Sequence, residues 1–443
     1  MSKPLLLFTA PVGTRSGYGA HSRDIARSLI AMDKFDVKIF PVRWGSTPQN
    51  ALSEDNPNDV PIIKRLLDNP NMDKQPDIHF HIVVPNEFQP LAKYNIGITA
   101  GLETTVCPPE WIEGLNRMNL NIVPSNFVKE VFINTEFEKH DQNTKQKIGQ
   151  IKCTSPVEVL FEGTDTNLYK FTKEFSKDLV DELKEIKEDF CFLFVGHWLQ
   201  GGLGHDRKDV GMLVKTFLET FKNKPKQPAL IIKTSGATPC ILDREDILNK
   251  LNEIKNTVKG KLPNIYVLHG DLDDEEMNGL YNHPKVKVHV SFTHGEGFGR
   301  PLLEASLSEK IIIASNWSGH IDFLASDNSI LLPGSLNKVK PESLMKGMHL
   351  KETQWFTVNY IYASKMLKEV FNNYNKYKLK GKKLAIMNKT KFSLDAMTEK
   401  FGKILDKYVP EFPKEVPLNL PKLKKVSSNE TPKIELPKLK KVK

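Results

Sequence analysis

Two glutamates around a glycine-rich turn are the residues whose types and spacing best suit chemistry. Seven residues separate Glu296 from Glu304, and Gly295, Gly297 and Gly299 surround the first of them. Glycines let a backbone approach a ligand closely, and the amides at a helix N-terminus attract anions. A neighbouring carboxylate can accept hydrogen bonds from ligand hydroxyls. The pattern therefore suits a ligand with both phosphate and hydroxyl groups, such as a sugar nucleotide.

The flanking sequence predicts the elements that must position this turn. Residues 287–292 alternate in polarity and are rich in β-branched side chains, which is typical of a strand. Pro301 suits the first turn of a helix, and the apolar residues after it continue that helix. We therefore expect a strand, a glycine turn and a helix, with Glu296 in the turn and Glu304 about one turn into the helix.

This segment resembles the EX7E motif of retaining glycosyltransferases that have two Rossmann-like domains, the GT-B architecture. The family with the most similar pattern is GT4, whose usual motif is Glu-Gly-Phe-Gly-x-Pro-x-x-Glu-Ala. The chain carries this motif at Glu296, Gly297, Phe298, Gly299, Pro301, Glu304 and Ala305. The resemblance implies transfer of a sugar from a nucleotide-diphospho-sugar, most often UDP- or GDP-linked, with retained anomeric configuration (EC 2.4) and without a metal or other cofactor.

The resemblance also implies roles for the motif residues. Glu304 would bind the hydroxyls of the donor ribose. Glu296 would position the transferred sugar as a catalytic group, with the donor-binding residues Gly297, Phe298 and Gly299 beside it.

A second candidate segment, residues 197–209, follows the first strand of the second half. In the family, an arginine and a lysine here neutralise the departing diphosphate. His197 occupies the arginine position, Lys208 fits the lysine position, and Arg207 is the candidate to replace the missing arginine. The alternative for these residues is a solvated charged turn.

Further donor contacts are expected on the next two strands. Lys233 ends a strand at its carboxyl end, where ligands bind in parallel sheets. The segment containing Gly270 and Leu272 resembles the family's base-contacting loop, and Asp273 or Asp274 is expected to cap the following helix.

The first half supplies a glycine loop and an acidic loop. Gly17 and Gly19 follow the first strand, but Ser22 occupies the third glycine position of a dinucleotide fingerprint. The loop instead resembles the one that faces the cleft in these glycosyltransferases, which makes both glycines candidate donor contacts. Glu103 follows another strand and is the candidate acidic residue on the acceptor side.

Alternating strands and helices predict an α/β fold with two Rossmann-like domains, a cleft between them and a disordered C-terminal tail. The expected strands of the first half are 5–8, 37–42, 78–84, 94–99, 120–123 and 157–160. The expected boundaries are 1–180 for an acceptor-side domain, 190–355 for a nucleotide-sugar domain, 356–408 for helices that cross back to the first domain, and 410–443 for the tail.

The tail contains one heptapeptide twice, at residues 420–426 and 436–442. Nine lysines and four glutamates give residues 410–443 about +5 of the total charge of +9. Such a segment could dock a protein partner bivalently, bind an anionic surface such as DNA, or simply keep the chain soluble.

The composition is typical of a globular protein and argues against a membrane protein or a zinc protein. The charged and apolar fractions, 26% and 39%, are ordinary for a globular protein, and no apolar run reaches the length of a membrane helix. Four scattered cysteines without a CxxC pair argue against a zinc site and favour a cytoplasmic location.

The sequence is compatible with three hypotheses about what the protein acts on or binds. A hydroxyl on a glycan, lipid or small molecule is the first hypothesis, and a hydroxymethylated base in phage DNA is the second. A third hypothesis is a docking protein without enzymatic activity.

Overall fold

A computed structural model describes residues 3–141, 144, 146–236 and 239–413. The expectations for the repeated tail segment, including its disorder, fall on residues 414–443 and lie outside the described residues. The elements of the first half are β1 (Leu5–Ala10), α1 (Gly17–Met32), β2 (Asp36–Pro41), α2 (Val60–Ile63), β3 (Ile78–Ile82), β4 (Tyr94–Ile98), α3 (Pro109–Asn116), β5 (Leu120–Val123), α4 (Asn126–Asn134), β6 (Glu136–His140), β7 (Lys147–Lys152) and β8 (Val157–Val159).

The second half continues with the same alternation. Its elements are α5 (Lys177–Leu183), β9 (Cys191–Val195), α6 (Val210–Phe221), β10 (Ala229–Lys233), α7 (Ile241–Thr257), β11 (Ile265–Leu268), α8 (Asp274–Asn282), β12 (Val286–Ser291), α9 (Arg300–Ser306), β13 (Ile311–Ser315), β14 (Ile330–Leu332), β15 (Gly334–Lys338), β16 (Gln354–Val358), α10 (Tyr360–Asn372), α11 (Tyr374–Lys391) and α12 (Leu394–Tyr408).

Two six-stranded parallel sheets form the framework. The first has the order β2-β1-β3-β4-β5-β8, and the second has the order β11-β10-β9-β12-β13-β14. Because β9, β10 and β13 are buried on both faces, their sequences are nearly continuous apolar runs, whereas β12 alternates in polarity. The predicted α/β class with two Rossmann-like sheets is confirmed.

Two apolar clusters cover the faces of the second sheet. One packs α6, α7 and α10 against it, and the other packs α5, α8 and α9. The carboxyl ends of all parallel strands within each sheet meet at one edge, so the loops that follow β9, β10, β12 and β13 lie together.

The last helix, α12, returns to the first sheet and packs against α1. The hydroxyls of Ser28 on α1 and Thr398 on α12 are 2.7 Å apart. A short parallel bridge also joins Thr164, in the linker, to Ser393 at the start of α12.

One predicted segment differs in the structure. The prediction of helices over residues 356–408 is wrong at its start, because residues 354–358 form β16, which pairs antiparallel with β15 and buries Trp355, Phe356 and Val358. Residues 170–189 contain one α-helix, the short α5, and α1 begins at Gly17. Ser16 caps α1 by accepting a hydrogen bond from the Gly19 amide, which recruits the glycine segment into the first helical turn.

Within the described part of the chain, no helix combines the length and the apolar character needed to span a membrane.

Candidate active site

The loops at the carboxyl ends of the two sheets touch each other directly. Ser125, after β5, donates a hydrogen bond of 2.6 Å from its hydroxyl to the carbonyl of Gly297, after β12. A Cβ added at Gly297 would lie only 2.1 Å from the carbonyl oxygen of Ala100, which follows β4. The backbone at Gly297 must therefore be bare for the two edges to approach this closely.

Lys208 and Glu296 form a buried ion pair at this junction. Lys208 lies just before α6, Glu296 lies in the turn before α9, and each side chain is 11% exposed. Burial alone would raise the pKa of Glu296, but the cations of Lys208 and Arg207 hold that pKa below its usual range. Burial in turn lowers the pKa of Lys208, while Glu296 opposes that shift. The carboxylate is thus charged at neutral pH.

A second ion pair crosses between the two halves. Arg207, from the second half, pairs with Glu103, from the loop after β4. Burial disfavours the Arg207 cation, yet Glu103 and Glu296 together raise its pKa. Two cations and two carboxylates therefore alternate where the sheet edges face each other, in place of the solvated turn that was the alternative for Arg207 and Lys208.

Glu304 lies in α9 with its side chain 9% exposed and both carboxylate oxygens engaged. Arg300 Nε donates to Oε1 at 2.9 Å, and the Tyr281 hydroxyl donates to Oε2 at 3.2 Å. Arg300 also reaches across to Asp24 on α1, with 2.6 Å between Nη1 and Oδ2. Burial raises the pKa of Glu304 to about 7, although Arg300 favours the charged form.

The remaining motif residues have structural roles that the geometry makes clear. Gly299 adopts a left-handed conformation with φ of 99° as the N-cap of α9. Phe298 is buried, and its ring centroid lies 5.0 Å from that of Phe323, so it packs in the core instead of facing the cleft.

The candidates on β10 and in the following loops are partly engaged with each other. Lys233 Nζ donates to the carbonyl oxygen of Gly270 at 2.6 Å, so it braces the loop that was expected to contact the base. Leu272 packs against the apolar cluster beneath that loop. His197 is exposed, with 3.3 Å between its Nδ1 and the carbonyl oxygen of Ser235.

Asp273 caps α8 in a capping box with Glu276, as the sequence predicted.

The two glycines of the first half differ in what they can contact. The amide of Gly19 is bonded to Ser16, and a Cβ there would lie 2.1 Å from the carbonyl oxygen of Thr14. Gly17 is exposed, and a Cβ there would meet nothing within 4 Å. Close packing against Thr14 thus explains why position 19 is a glycine, whereas the backbone at Gly17 is accessible to a ligand.

Sequence reasoning missed Arg300, Asp24 and Glu162. Arg300 precedes Glu304 by four residues, and that helical spacing is a signal for the pair. No local pattern marks Asp24 or Glu162. Glu162, in the turn after β8, is buried, which raises its pKa to about 7, and Arg300 is the main opposing influence.

Within residues 3–141, 144, 146–236 and 239–413, no cluster of three or more His, Cys, Asp or Glu side chains could hold a metal ion.

Comparison with known proteins finds likeness in structure only. No model of a protein family matches the sequence, and no curated protein matches it. A glycosyltransferase of Rickettsia africae superposes with a TM-score of 0.61 at 13% identity, over 92% of this chain and 99% of that one. A sucrose-phosphate synthase of Thermosynechococcus elongatus gives 0.59 at 12% identity, over 91% and 98%. HepE of Anabaena, solved with UDP and glucose, gives 0.54 at 14% identity, over 91% and 100%.

The fold shared with these structures is GT-B, with its two parallel Rossmann-like sheets.

Proposed function

We propose that the protein is a glycosyltransferase that moves a sugar from a nucleotide-diphospho-sugar to a hydroxyl acceptor. The observation that carries this proposal is the alternating set of Arg207, Lys208, Glu103 and Glu296 where the two sheet edges meet. Buried cations beside carboxylates can stabilise a diphosphate as it leaves while hydroxyl groups are held in place. The GT-B fold agrees with this chemistry, and HepE has also been solved with UDP-glucose.

Lys208 and Arg207 would bind the two phosphates of the donor. Both cations are paired to carboxylates in this structure, so donor binding must replace or share those pairs. A diphosphate carries more negative charge than one carboxylate, which favours the exchange. Glu296, released from Lys208, would then be free to accept a hydrogen bond from the donor sugar.

Glu304 would bind the ribose hydroxyls. A carboxylate offers about four lone-pair sites, and Arg300 and Tyr281 use two of them. The remaining sites can accept from two ribose hydroxyls. We further propose retention of configuration, with UDP as the first nucleotide to test and no metal or other cofactor required.

The direct test is a thermal-shift and donor-hydrolysis screen of the purified protein with UDP-, GDP-, ADP- and dTDP-sugars. One nucleotide should stabilise the wild type but not Glu304→Ala. Lys208→Ala should lower donor turnover by about 100- to 1,000-fold, because it removes a cation aimed at the leaving group. The exposed Lys376→Ala serves as the matched control, since its side chain is 69% exposed on α11.

Near-normal turnover by a folded Lys208→Ala protein would contradict the proposed role of this residue. If no nucleotide shifts the melting temperature, the proposal of a docking protein without enzymatic activity gains support.

DNA is the alternative acceptor, favoured by the repeated basic heptapeptide of the tail. Lysine contacts to phosphates would make binding weaken steeply with salt. Loss of DNA affinity on deletion of residues 414–443 would support this alternative, whereas salt-insensitive or absent binding would oppose it. A pull-down with that segment would reveal a docked protein instead.

A further inference from the structure

A cavity of about 440 Å³ lies beside Arg207, on the α7 side of the second sheet. Three segments enclose it: the loop after β9, the first turns of α7, and the connection between β15 and β16. The volume falls within the range of pockets that bind small organic ligands. Its wall includes Trp198, Gln200, Arg207, Met345, His349 and Trp355.

The cavity wall is rich in hydrogen-bond donors without partners. Neither the Trp198 nor the Trp355 indole N–H donates a hydrogen bond to another residue among those described. The Gln200 amide is exposed and likewise forms no side-chain bond within the described part of the chain. Trp198 is 4% and Trp355 2% exposed, and the Trp355 ring stacks on His294 with 4.3 Å between the ring centroids, so each indole offers the cavity a ring edge and its single donor, to which a sugar hydroxyl can hydrogen-bond.

His349 adds a third ring to the cavity wall. Its Nδ1 accepts a hydrogen bond from the Met345 amide at 3.2 Å. Burial lowers the pKa of the ring, so it is neutral at pH 7 and carries its proton on Nε2. The buried Nε2 atom forms no hydrogen bond of normal geometry. A contact with the Ser343 backbone nevertheless opposes the lowering of the ring's pKa. A buried donor of this kind needs an acceptor.

The charges around the cavity are already compensated. Arg207 pairs with Glu103, and Lys250 lies 2.7 Å from Asp246. Asp243 accepts hydrogen bonds from the Gly236 amide and lies 2.7 Å from His269. A ligand with oxygen acceptors but no net charge therefore fits this wall better than an anion does.

The cavity is joined to the transfer site through the loop that carries Glu103. The Thr105 amide donates to the carbonyl of Gln354 at 3.0 Å, and the Gln354 amide donates back to the Thr105 hydroxyl at 3.1 Å. The neighbour of Gln354 is the cavity-lining Trp355. On the other side, Arg207 lines the cavity and directly precedes Lys208, which holds Glu296.

We propose that this cavity binds the acceptor, and that the acceptor is a neutral saccharide. One sugar ring would lie at the edges of the two indoles and accept hydrogen bonds from their N–H groups and from the Gln200 amide. A hydroxyl of the same molecule would extend past Arg207 towards the donor sugar at Glu296. This inference rests on the proposed transferase function and commits to a saccharide in place of DNA.

The test measures binding of maltose, cellobiose and lactose to the full-length protein by calorimetry, with UDP present, and with glycerol 3-phosphate as an anionic probe. At least one disaccharide should bind. Met345→Trp, which fills the cavity, should weaken that binding at least tenfold and leave UDP affinity unchanged. Trp198→Phe removes one donor while keeping an aromatic ring, and should weaken binding by about 3- to 10-fold.

Leu379→Trp is the matched control, because Leu379 is 58% exposed on α11, away from the cavity. The inference is overturned if no disaccharide binds, if Met345→Trp binds as tightly as the wild type, or if only glycerol 3-phosphate binds. Failure to bind any of UDP, GDP, ADP and dTDP would instead overturn the proposed function, so the two failures are distinguishable.

Discussion

The substitution Glu304→Gln separates the contribution of this carboxylate to ligand binding from its effect on the free energy of unfolding. In the structure the Glu304 side chain is 9% exposed, and burial raises its pKa from 4.5 to about 7. Between these pH values the folded protein holds a proton that the unfolded chain releases. Stability is therefore highest below the unfolded pKa and is lost as the pH rises towards 7.

The size of this effect follows from the two pKa values. From pH 5 to pH 8, ionisation of Glu304 should lower the free energy of unfolding by about 2.5 kcal/mol. A glutamine keeps the shape and can still accept from Arg300, but it does not ionise. Between pH 5 and pH 8, the free energy of unfolding of Glu304→Gln should therefore increase by about 2.5 kcal/mol relative to that of the wild type.

The assay is urea denaturation of both proteins at pH 5, 6.5 and 8, combined with the UDP-glucose thermal shift at pH 8. Glu182→Gln, an exposed position on α5, is the control. We expect the variant to gain relative stability and to lose the UDP-glucose shift. Parallel pH profiles for variant and wild type would refute the burial argument, and an undiminished shift would refute the role in ribose binding.

Two further predictions follow from close packing and from burial. Gly297→Ala places a Cβ about 2.1 Å from the carbonyl oxygen of Ala100, so the facing loops must separate and sugar transfer should fall at least tenfold. Gly202→Ala is the control and should leave transfer unchanged, because a Cβ at Gly202 meets open space. His289 is fully buried without a partner on either ring nitrogen, and burial lowers its pKa to about 3. As the pH falls below 6.5, the His289 ring takes up a proton in the unfolded chain but not in the folded protein. The free energy of unfolding should therefore fall by about 2 kcal/mol between pH 8 and pH 5. Urea titrations should show that dependence reduced in His289→Leu, and an unchanged profile would contradict it.

The strands were predictable because local pattern and burial agree along them. The predicted strands 5–8 and 120–123 are confirmed, because the first lies within β1 and the second coincides with β5. Each is a short run of apolar or β-branched residues between turn signals, which a buried parallel strand requires. The strand, turn and helix around Glu296 followed for the same reason.

Strand β16 was not predictable in this way. Its residues lie next to a long helical stretch, and only pairing with β15, sixteen residues earlier, defines them as a strand. Non-local pairing leaves little periodic signal in so short a segment. The cavity between Trp198 and Trp355 depends on this hairpin and was missed with it.

The sequence by itself determined which residues are candidates for the site: the motif glutamates, the adjacent Arg207 and Lys208, and the glycines that allow close approach. Only the tertiary structure decided their partners. Glu103 meets Arg207, and Asp24 meets Arg300, across more than one hundred residues of chain. Burial and charge pairing then set whether a carboxyl group such as Glu304 is ionised. Both depend on distances in space, which residue types and local spacing do not encode.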